Sequence, residues 1–398
     1  MLLAFIVASI TTTLTVAGFG YYLLALWSAR AFSHAARQPL ALVEAPVSIL
    51  KPVKGLDPEM YASFASHCRQ EYGADYELIF GVTSLSDPAV AAVEQLQRAF
   101  PERSIRLVEC PEVLGTNGKV SNLVQMVRAA SYDYIVINDS DILVSPLYLR
   151  RIVSAFQPGV ARPRPIGMVT ALYRGRAHGA TLGSRIEALG ISTDFMAGVL
   201  TARKLEGGIR FGLGSTLAFS REALEKIGGL LPLVDYLADD YESGARVYAA
   251  GYDVALSTEV VETYVPAYTF SQFLDHQIRW SRSTRDSRRW GYAGLLFTFG
   301  LPWACLNILA SGASLPSIAL FVLTLVARVA LALAVGVGIV GDEQVLGDIW
   351  LLLPRDLVAL GIWVWSFAGD TVVWRGHRFS LKEGKLRDLP SGQTRFAP

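Results

Sequence analysis

The apolar run over residues 2–27 constrains this chain more than any other feature. Crossing a bilayer takes about 20 consecutive apolar residues. A lone segment in hydrocarbon satisfies its own backbone only as a helix. The run has no basic residue before it and is followed by Arg30 and Arg37. A cleaved signal peptide would have a basic start and a shorter apolar core. The pattern predicts an uncleaved anchor over residues 1–30, with the positive flank holding the next segment of chain in the cytoplasm. Mean hydropathy is +0.35 and only 18% of residues are charged, so further membrane segments are expected.

They are found at the other end. From Gly291 the composition turns apolar again, in stretches near 292–309, 318–340 and 349–373. The first is interrupted by Pro302 and is expected to lie in the interface or re-enter, leaving two crossings. Arg328, Arg355 and Asp356 lie within the later stretches. Charge is costly in lipid, so each needs a protein or headgroup partner. Residues 291–375 thus form a membrane region, and 376–398 a cytoplasmic tail whose basic residues include Arg378, Lys382 and Lys385. The expected protein is integral and multi-pass, with its soluble part on the cytoplasmic face.

Residues 46–290 read as a globular α/β domain. Strands are predicted at 47–50, 77–82, 105–108 and 134–137. Helices are predicted between them at 57–70, 87–100 and 117–130, the first two opening on Asp-Pro. The alternation implies a parallel-rich sheet flanked by helices, and ligands bind such sheets beyond the carboxyl ends of the strands. Net charge is +1, from 36 basic and 35 acidic residues, which gives no electrostatic case for nucleic acid. Cys68, Cys110 and Cys305 form neither a disulfide framework nor a zinc site, and read as free thiols.

The strongest local signal is Tyr134-Ile135-Val136-Ile137-Asn138-Asp139-Ser140-Asp141. A strand ends in two carboxylates, Asp139 and Asp141, able to face one crevice. Such a pair suits a hard divalent cation, Mg2+ or Mn2+, that also bridges a diphosphate; Asp is also common in turns and caps. Asp87, after the second strand, either caps a helix or contacts a nucleotide base or ribose. Asp239 and Asp240 open a helix, where one can serve as a general base and the other as a cap. Gln277-Ile278-Arg279-Trp280 places a guanidinium fork beside a flat apolar face. Arg282, Arg285, Arg288 and Arg289 behind it are expected mostly at the membrane surface. Lys51, Lys54 and Lys119 are candidates to approach phosphates. The five histidines are scattered singly.

Taken in order, Val47-Ser48-Ile49-Leu50-Lys51-Pro52-Val53-Lys54-Gly55, Asp87-Pro88, Asp139-Ser140-Asp141, Ala238-Asp239-Asp240-Tyr241 and Gln277-Ile278-Arg279-Trp280 resemble the ceramide glucosyltransferases of glycosyltransferase family 21. Pro354-Arg355-Asp356 and Trp374-Arg375-Gly376-His377-Arg378 extend the likeness to the C-terminal region. The resemblance implies a GT-A fold, a UDP-sugar donor, a divalent metal, inversion at the anomeric carbon and a membrane-lipid acceptor. By position it implies Asp87 at the donor base, Asp139 and Asp141 at the metal and diphosphate, and Asp240 as general base. Arg279 and Trp280, with Gln277, form the product-side motif, and Lys119 is assigned to the donor. The chain departs from animal ceramide members at Ile191-Ser192-Thr193-Asp194-Phe195. Around Phe211-Gly212-Leu213-Gly214-Ser215-Thr216 it is similar to bacterial relatives that glycosylate hopanoids. The acceptor thus stays open between ceramide and a hopanoid, and the sugar between glucose and another such as GlcNAc. A processive polysaccharide synthase shares these motifs but needs a larger membrane bundle. An inactive lipid-binding homologue would have no use for the full set Asp87, Asp139, Asp141, Asp240 and Arg279.

Overall fold

The computed structural model describes residues 2–37, 42–157, 164–179, 181–374 and 377–389. Arg375 and Gly376 of the C-terminal motif, and the tail from 390 on, lie outside them. The chain forms two compact units, one of residues 1–37, 179–206 and 267–383, the other of 38–178, 207–266 and 384–398.

The second unit is built on an eight-stranded sheet. Its strands are β1 (Val47–Pro52), β2 (Tyr76–Val82), β3 (Ser104–Glu109), β4 (Tyr134–Ile137), β5 (Ile142–Leu143), β6 (Ile166–Ala177), β7 (Leu217–Ser220) and β8 (Asp253–Val265), in the order β3-β2-β1-β4-β7-β6-β8-β5. The first four are mutually parallel, as the alternation predicts. β7 enters antiparallel between β4 and β6. β1 and β2 are central and buried on both faces, so they read as continuous apolar runs rather than alternating ones. Edge strand β3 alternates exposed and half-buried positions. The predicted helices form at Met60–Cys68, Ala89–Ala99 and Gly118–Val127. The first starts three residues later than the Asp-Pro signal suggests, because Asp57 is engaged elsewhere, accepting from the Ser140 hydroxyl.

This topology places the acid motif. β4 stops at Ile137, and the Asn138 amide bonds to Leu50 O at the end of β1 at 3.2 Å. The chain then runs through Asp139, Ser140 and Asp141 into β5, which pairs with β8 at the far edge, Ile142 opposite Thr263. The acid link therefore crosses the carboxyl ends of the strands.

In the other unit, Leu2–Ala36 and Leu315–Val337 are long and apolar enough to cross a membrane. The stretch with Pro302 forms two helices, Arg289–Thr298 and Gly300–Ala310, bent by 52°. The break falls at Phe299, three residues before Pro302. The last stretch departs from expectation: its helix is only Leu352–Ser366, and Thr371–Trp374 is a strand paired with His377–Lys382. Gly18 and Gly300 let the N-terminal helix lie directly on the 300–310 helix; a Cβ on Gly18 would be 2.4 Å from Gly300 Cα. The charges within the apolar stretches find protein partners. Arg328 holds Asp356 at 2.8 Å, and Arg355 bridges Asp356 at 3.1 Å and Asp194 at 2.8 Å.

Candidate active site

Four carboxylates and two ammonium groups meet at the carboxyl ends of the strands. Asn117 caps the helix Gly118–Val127 through Val120 N, which puts Lys119 in its first turn. Lys119 Nζ lies 2.8 Å from Asp139 Oδ1 and 3.5 Å from Asp239 Oδ2. Asp239 and Asp240 open the helix Asp239–Ala249. Asp240 Oδ1 is taken by the amide of Tyr241 at 2.8 Å. Its Oδ2 faces Gly214: a Cβ there would lie 3.2 Å from Asp240 Oδ2 and 4.0 Å from Asp139 Oδ2. Asp139, Lys119, Asp239 and Asp240 thus share one crevice floored by the Gly214 backbone.

The acid link is tethered along its length. Ser140 donates to Asp57, and Thr263 of β8 donates to Asp141 Oδ2. Lys51, at the end of β1, is completely buried. It donates to the backbone carbonyl of Asp139 at 3.0 Å and so supports the link from beneath rather than opening to a phosphate. Lys54 is exposed. Under the same link lies a buried polar network. Asn138 Nδ2 donates to Ser215 O at 2.8 Å and Tyr148 Oη at 2.9 Å, and His67 Nε2 lies 3.3 Å from Asn138 Oδ1. His67, one of the scattered histidines, is therefore a packed part of the site's support.

Burial and like charge set the titration. Burial, then repulsion from Asp139, push the Asp141 carboxyl up to about 6. Burial and then Asp239 raise Asp240 to about 6. Asp239 is raised by burial, against the pull of Lys119. Burial opposes the charge on Lys119, but Asp139 and Asp239 outweigh it and hold the ammonium above its ordinary value. Lys51 has weaker compensation: burial brings it down to about 7 against Asp141 and Asp139.

Asp87 behaves as a cap and a tie. Its Oδ1 accepts from Ala89 N and from Gly55 N, both at 2.9 Å, joining the loops after β2 and β1. Gln277, Arg279 and Trp280 belong to the other unit, on the helix Phe270–Ser287. Trp280 packs on His276, ring centroids 4.7 Å apart, and on Phe195 at 6.4 Å. His276 Nδ1 lies 2.9 Å from buried Glu187, off the line a hydrogen bond needs. Arg279 lines a cavity of about 150 Å³ with Asp275, Arg282 and Trp365. Three of the arginines behind the motif have protein partners. Arg282 donates to Ala368 O and Thr371 O, Arg285 to Ser366 O and Gly369 O, and Arg288 pairs with Glu206. Arg282 and Arg285 thereby satisfy carbonyls at and just beyond the C-terminus of the 352–366 helix.

The family model for glycosyl transferase family 21 matches residues 10–387. The chain belongs to glycosyl transferase family 21. Ceramide glucosyltransferase 3 of Caenorhabditis elegans is 28% identical to this family member over 247 residues, 59% of this chain and 49% of its own length. The match thus spans about half of that relative. Ceramide glucosyltransferase 1 of the same organism is 23% identical over 359 residues, 87% of this chain and 74% of that one. The mannosyltransferase PcManGT of Pyrobaculum calidifontis shares the fold, with a TM-score of 0.54 at 20% identity over 91% of this chain and 98% of that one. The GT-A architecture implied by the motifs is therefore the one this family member adopts.

Proposed function

We propose that this chain transfers glucose from UDP-glucose to the hydroxyl of a membrane lipid, with inversion at the anomeric carbon. The observation that carries the reading is the crevice itself: Lys119 joins Asp139 to Asp239, while Oδ2 of Asp139 and of Asp240 face one glycine. The relatives named as ceramide glucosyltransferases support a lipid acceptor, and PcManGT, solved with GDP-Man and Mn2+, supports a nucleotide-sugar and a divalent cation.

The donor set fits such a cation, Mg2+ or Mn2+. Asp139 and Asp141 repel one another enough to help raise the Asp141 carboxyl to about 6. Asp139 and Asp141 would hold such a cation, and its charge would offset that repulsion. Among the described residues no group of three or more His, Cys, Asp or Glu could by itself hold a metal ion, so a cation held by Asp139 and Asp141 would need further oxygens from the diphosphate and from water. When bound, the cation neutralises charge on the departing diphosphate.

The chain's own residues do the rest. Lys119 brings an ammonium to the phosphate side, and Asp87 approaches the donor base. Asp240 Oδ2 takes the acceptor's hydroxyl proton as that oxygen attacks the anomeric carbon. The bond to UDP breaks on the opposite face, which inverts the centre. Roles for Gln277, Arg279 and Trp280 rest on their motif: a guanidinium fork for leaving phosphate oxygens and an apolar face for sugar or acceptor.

The catalytic unit, centred on residues 46–266, lies on the cytoplasmic face in this reading. Residues 384–388 after the apolar helices hydrogen-bond to it, so an even number of crossings separates residue 266 from residue 384, which Leu315–Val337 and the bent pair over 289–310, taken as one broken span, would supply. A reporter fused near residue 100 and found on the outer face would refute that placement. For the activity, purified chain with labelled UDP-glucose and mixed lipids should yield a glycolipid, lost in Asp141→Ala. Mass spectrometry of lipids in a host with and without the gene tells ceramide from hopanoid. No glycosylated lipid in either experiment overturns the reading, and full activity in excess chelator removes the metal.

A further inference from the structure

We propose that residues 384–388 strap down the segment carrying Asp239 and Asp240, making Leu386 and the backbone of Gly384 positioning elements for the transfer reaction. The inference rests on the function proposed above and deepens it.

The chain leaves the apolar helices and its strand Lys385–Asp388 joins the unit that holds the crevice. There it pairs antiparallel with Tyr236. Leu237 N donates to Gly384 O at 3.0 Å, and Leu386 N donates to Asp235 O at 2.7 Å. The Leu386 side chain is 2% exposed, and Lys385 Nζ sits 5.2 Å from the Tyr236 ring centre. Gly384 has φ +77°, and a Cβ there would be 3.2 Å from the Tyr236 ring. A substitution at Gly384 is therefore both strained and crowded.

The opposite side of the segment is held by the turn before Lys119. Asn117 N donates to Val234 O at 2.7 Å and Asn117 Nδ2 to Tyr236 O at 2.8 Å. Thr116 closes the block: its amide and hydroxyl both donate to Asp235 Oδ1, at 3.0 and 3.2 Å, and its hydroxyl also lies 3.3 Å from Leu386 O. The backbone of 234–237 is thus clamped between two arms. One arm continues directly into Lys119; the segment itself continues into Asp239, 3.5 Å from Lys119 Nζ. Without Gly384–Leu386, Asp235 O and Leu237 N lose their partners, and helix Asp239–Ala249 is no longer fixed at its start. Misplacing a reacting group by about 1 Å can cost about a hundredfold in rate.

The test uses the full chain in detergent or nanodiscs. Leu386→Pro removes the N–H that Asp235 O accepts but keeps an apolar residue; Leu386→Ala shortens the buried side chain, and Leu386→Ile is the conservative control. The strap predicts that kcat falls about a hundredfold in Leu386→Pro and less in Leu386→Ala, while the Kd for UDP and the melting temperature stay near wild type and Leu386→Ile recovers most of kcat. Hydrogen exchange gives a readout free of activity: the amides of 237–241 should exchange faster in Leu386→Pro. Unchanged kcat together with unchanged exchange overturns the strap, as does a loss of kcat that only follows loss of folded protein. Failure of wild type to turn over UDP-sugar overturns the proposed function instead, and the exchange result then still decides whether the strap exists.

Discussion

Adding one methyl group at Gly214 tests whether Asp139 and Asp240 share a reaction space. The backbone there is not left-handed, so alanine brings no conformational penalty. Its Cβ would stand 3.2 Å from Asp240 Oδ2, 3.8 Å from Asp240 Cγ and 4.0 Å from Asp139 Oδ2. The first distance is tighter than ordinary packing, so the Asp240 carboxylate must retreat by a few tenths of an ångström. The methyl also stands where a hydroxyl would meet Oδ2, and it takes water from a carboxylate that burial already holds at about 6. Displacement and desolvation together should lower kcat by about ten- to a hundredfold, with little change in the Kd for UDP. The assay is transfer of labelled sugar to lipid under saturating donor, beside Gly118→Ala, where a Cβ would meet nothing within 4 Å. If Gly214→Ala keeps wild-type kcat while Gly118→Ala does too, Asp240 Oδ2 is not the atom that receives the proton.

Three further outcomes are expected. Because the Asp240 carboxyl is raised to about 6, its base form fills only as pH climbs through that value. The rate should therefore rise between about pH 5 and 7; Asp239→Asn removes a repelling neighbour and should move the rise to lower pH, and Asp240→Asn should abolish transfer at every pH while still binding UDP. Arg279→Lys should lose roughly 3–4 kcal/mol of transition-state stabilisation, by analogy with a lost oxyanion donor, since an ammonium lacks the guanidinium fork; steady-state kinetics near wild type would exclude the phosphate role. In the apolar unit, Arg328→Met leaves Asp356 half-paired and buried and should destabilise by about 3–5 kcal/mol, whereas Arg328→Met with Asp356→Leu should recover much of the loss in a thermal-denaturation assay.

The strands and helices of residues 47–137 are legible because each is carried by local pattern: four apolar runs, three amphipathic stretches and an Asn at a helix start. The acid pair after β4 is legible for the same reason, since a strand must end before a turn residue and its carboxyl end is where ligands bind. What surrounds the pair is not. Asp57 reads locally as a helix start, yet its carboxylate accepts from Ser140, 83 positions away. Thr263 and His67 carry no local signal; each reaches the acid link only through the tertiary fold. Lys51 looks like a phosphate ligand because it follows the predicted first strand, but it is fully buried and its ammonium is taken by the Asp139 carbonyl. The last apolar stretch reads as a crossing by composition, whereas its helix stops at Ser366 and the chain turns into a hairpin. Hydropathy averages over a window and does not see where a helix ends.

The tethers on the acid link bear on how the site works. Asp141 is held by Thr263 from β8, Ser140 by Asp57 from the loop after β1, and the carbonyl of Asp139 by Lys51 from β1 itself. These contacts fix the link from the middle of the sheet and from its β8 side. The Asp139 carboxylate is different: its side chain is 39% exposed, and its partner Lys119 is shared with Asp239. A site preorganised for charge needs a rigid frame, because dipoles that must reorient during reaction forfeit their advantage. It also needs one contact that can be exchanged when an anionic donor arrives. Lys119 meets both conditions: its helix start is fixed by Asn117, while its ammonium lies against the carboxylates of Asp139 and Asp239, which a cation can equally satisfy. A bound diphosphate with its cation would draw the Lys119 ammonium from carboxylate to phosphate, and Asp239 would lose the charge that opposes its protonation. In Lys119→Met, UDP affinity should fall and the dependence of that affinity on Mn2+ should steepen, because the metal becomes the sole counter-charge to the phosphates. Unchanged UDP affinity at every Mn2+ concentration would mean that Lys119 stays on the carboxylates throughout.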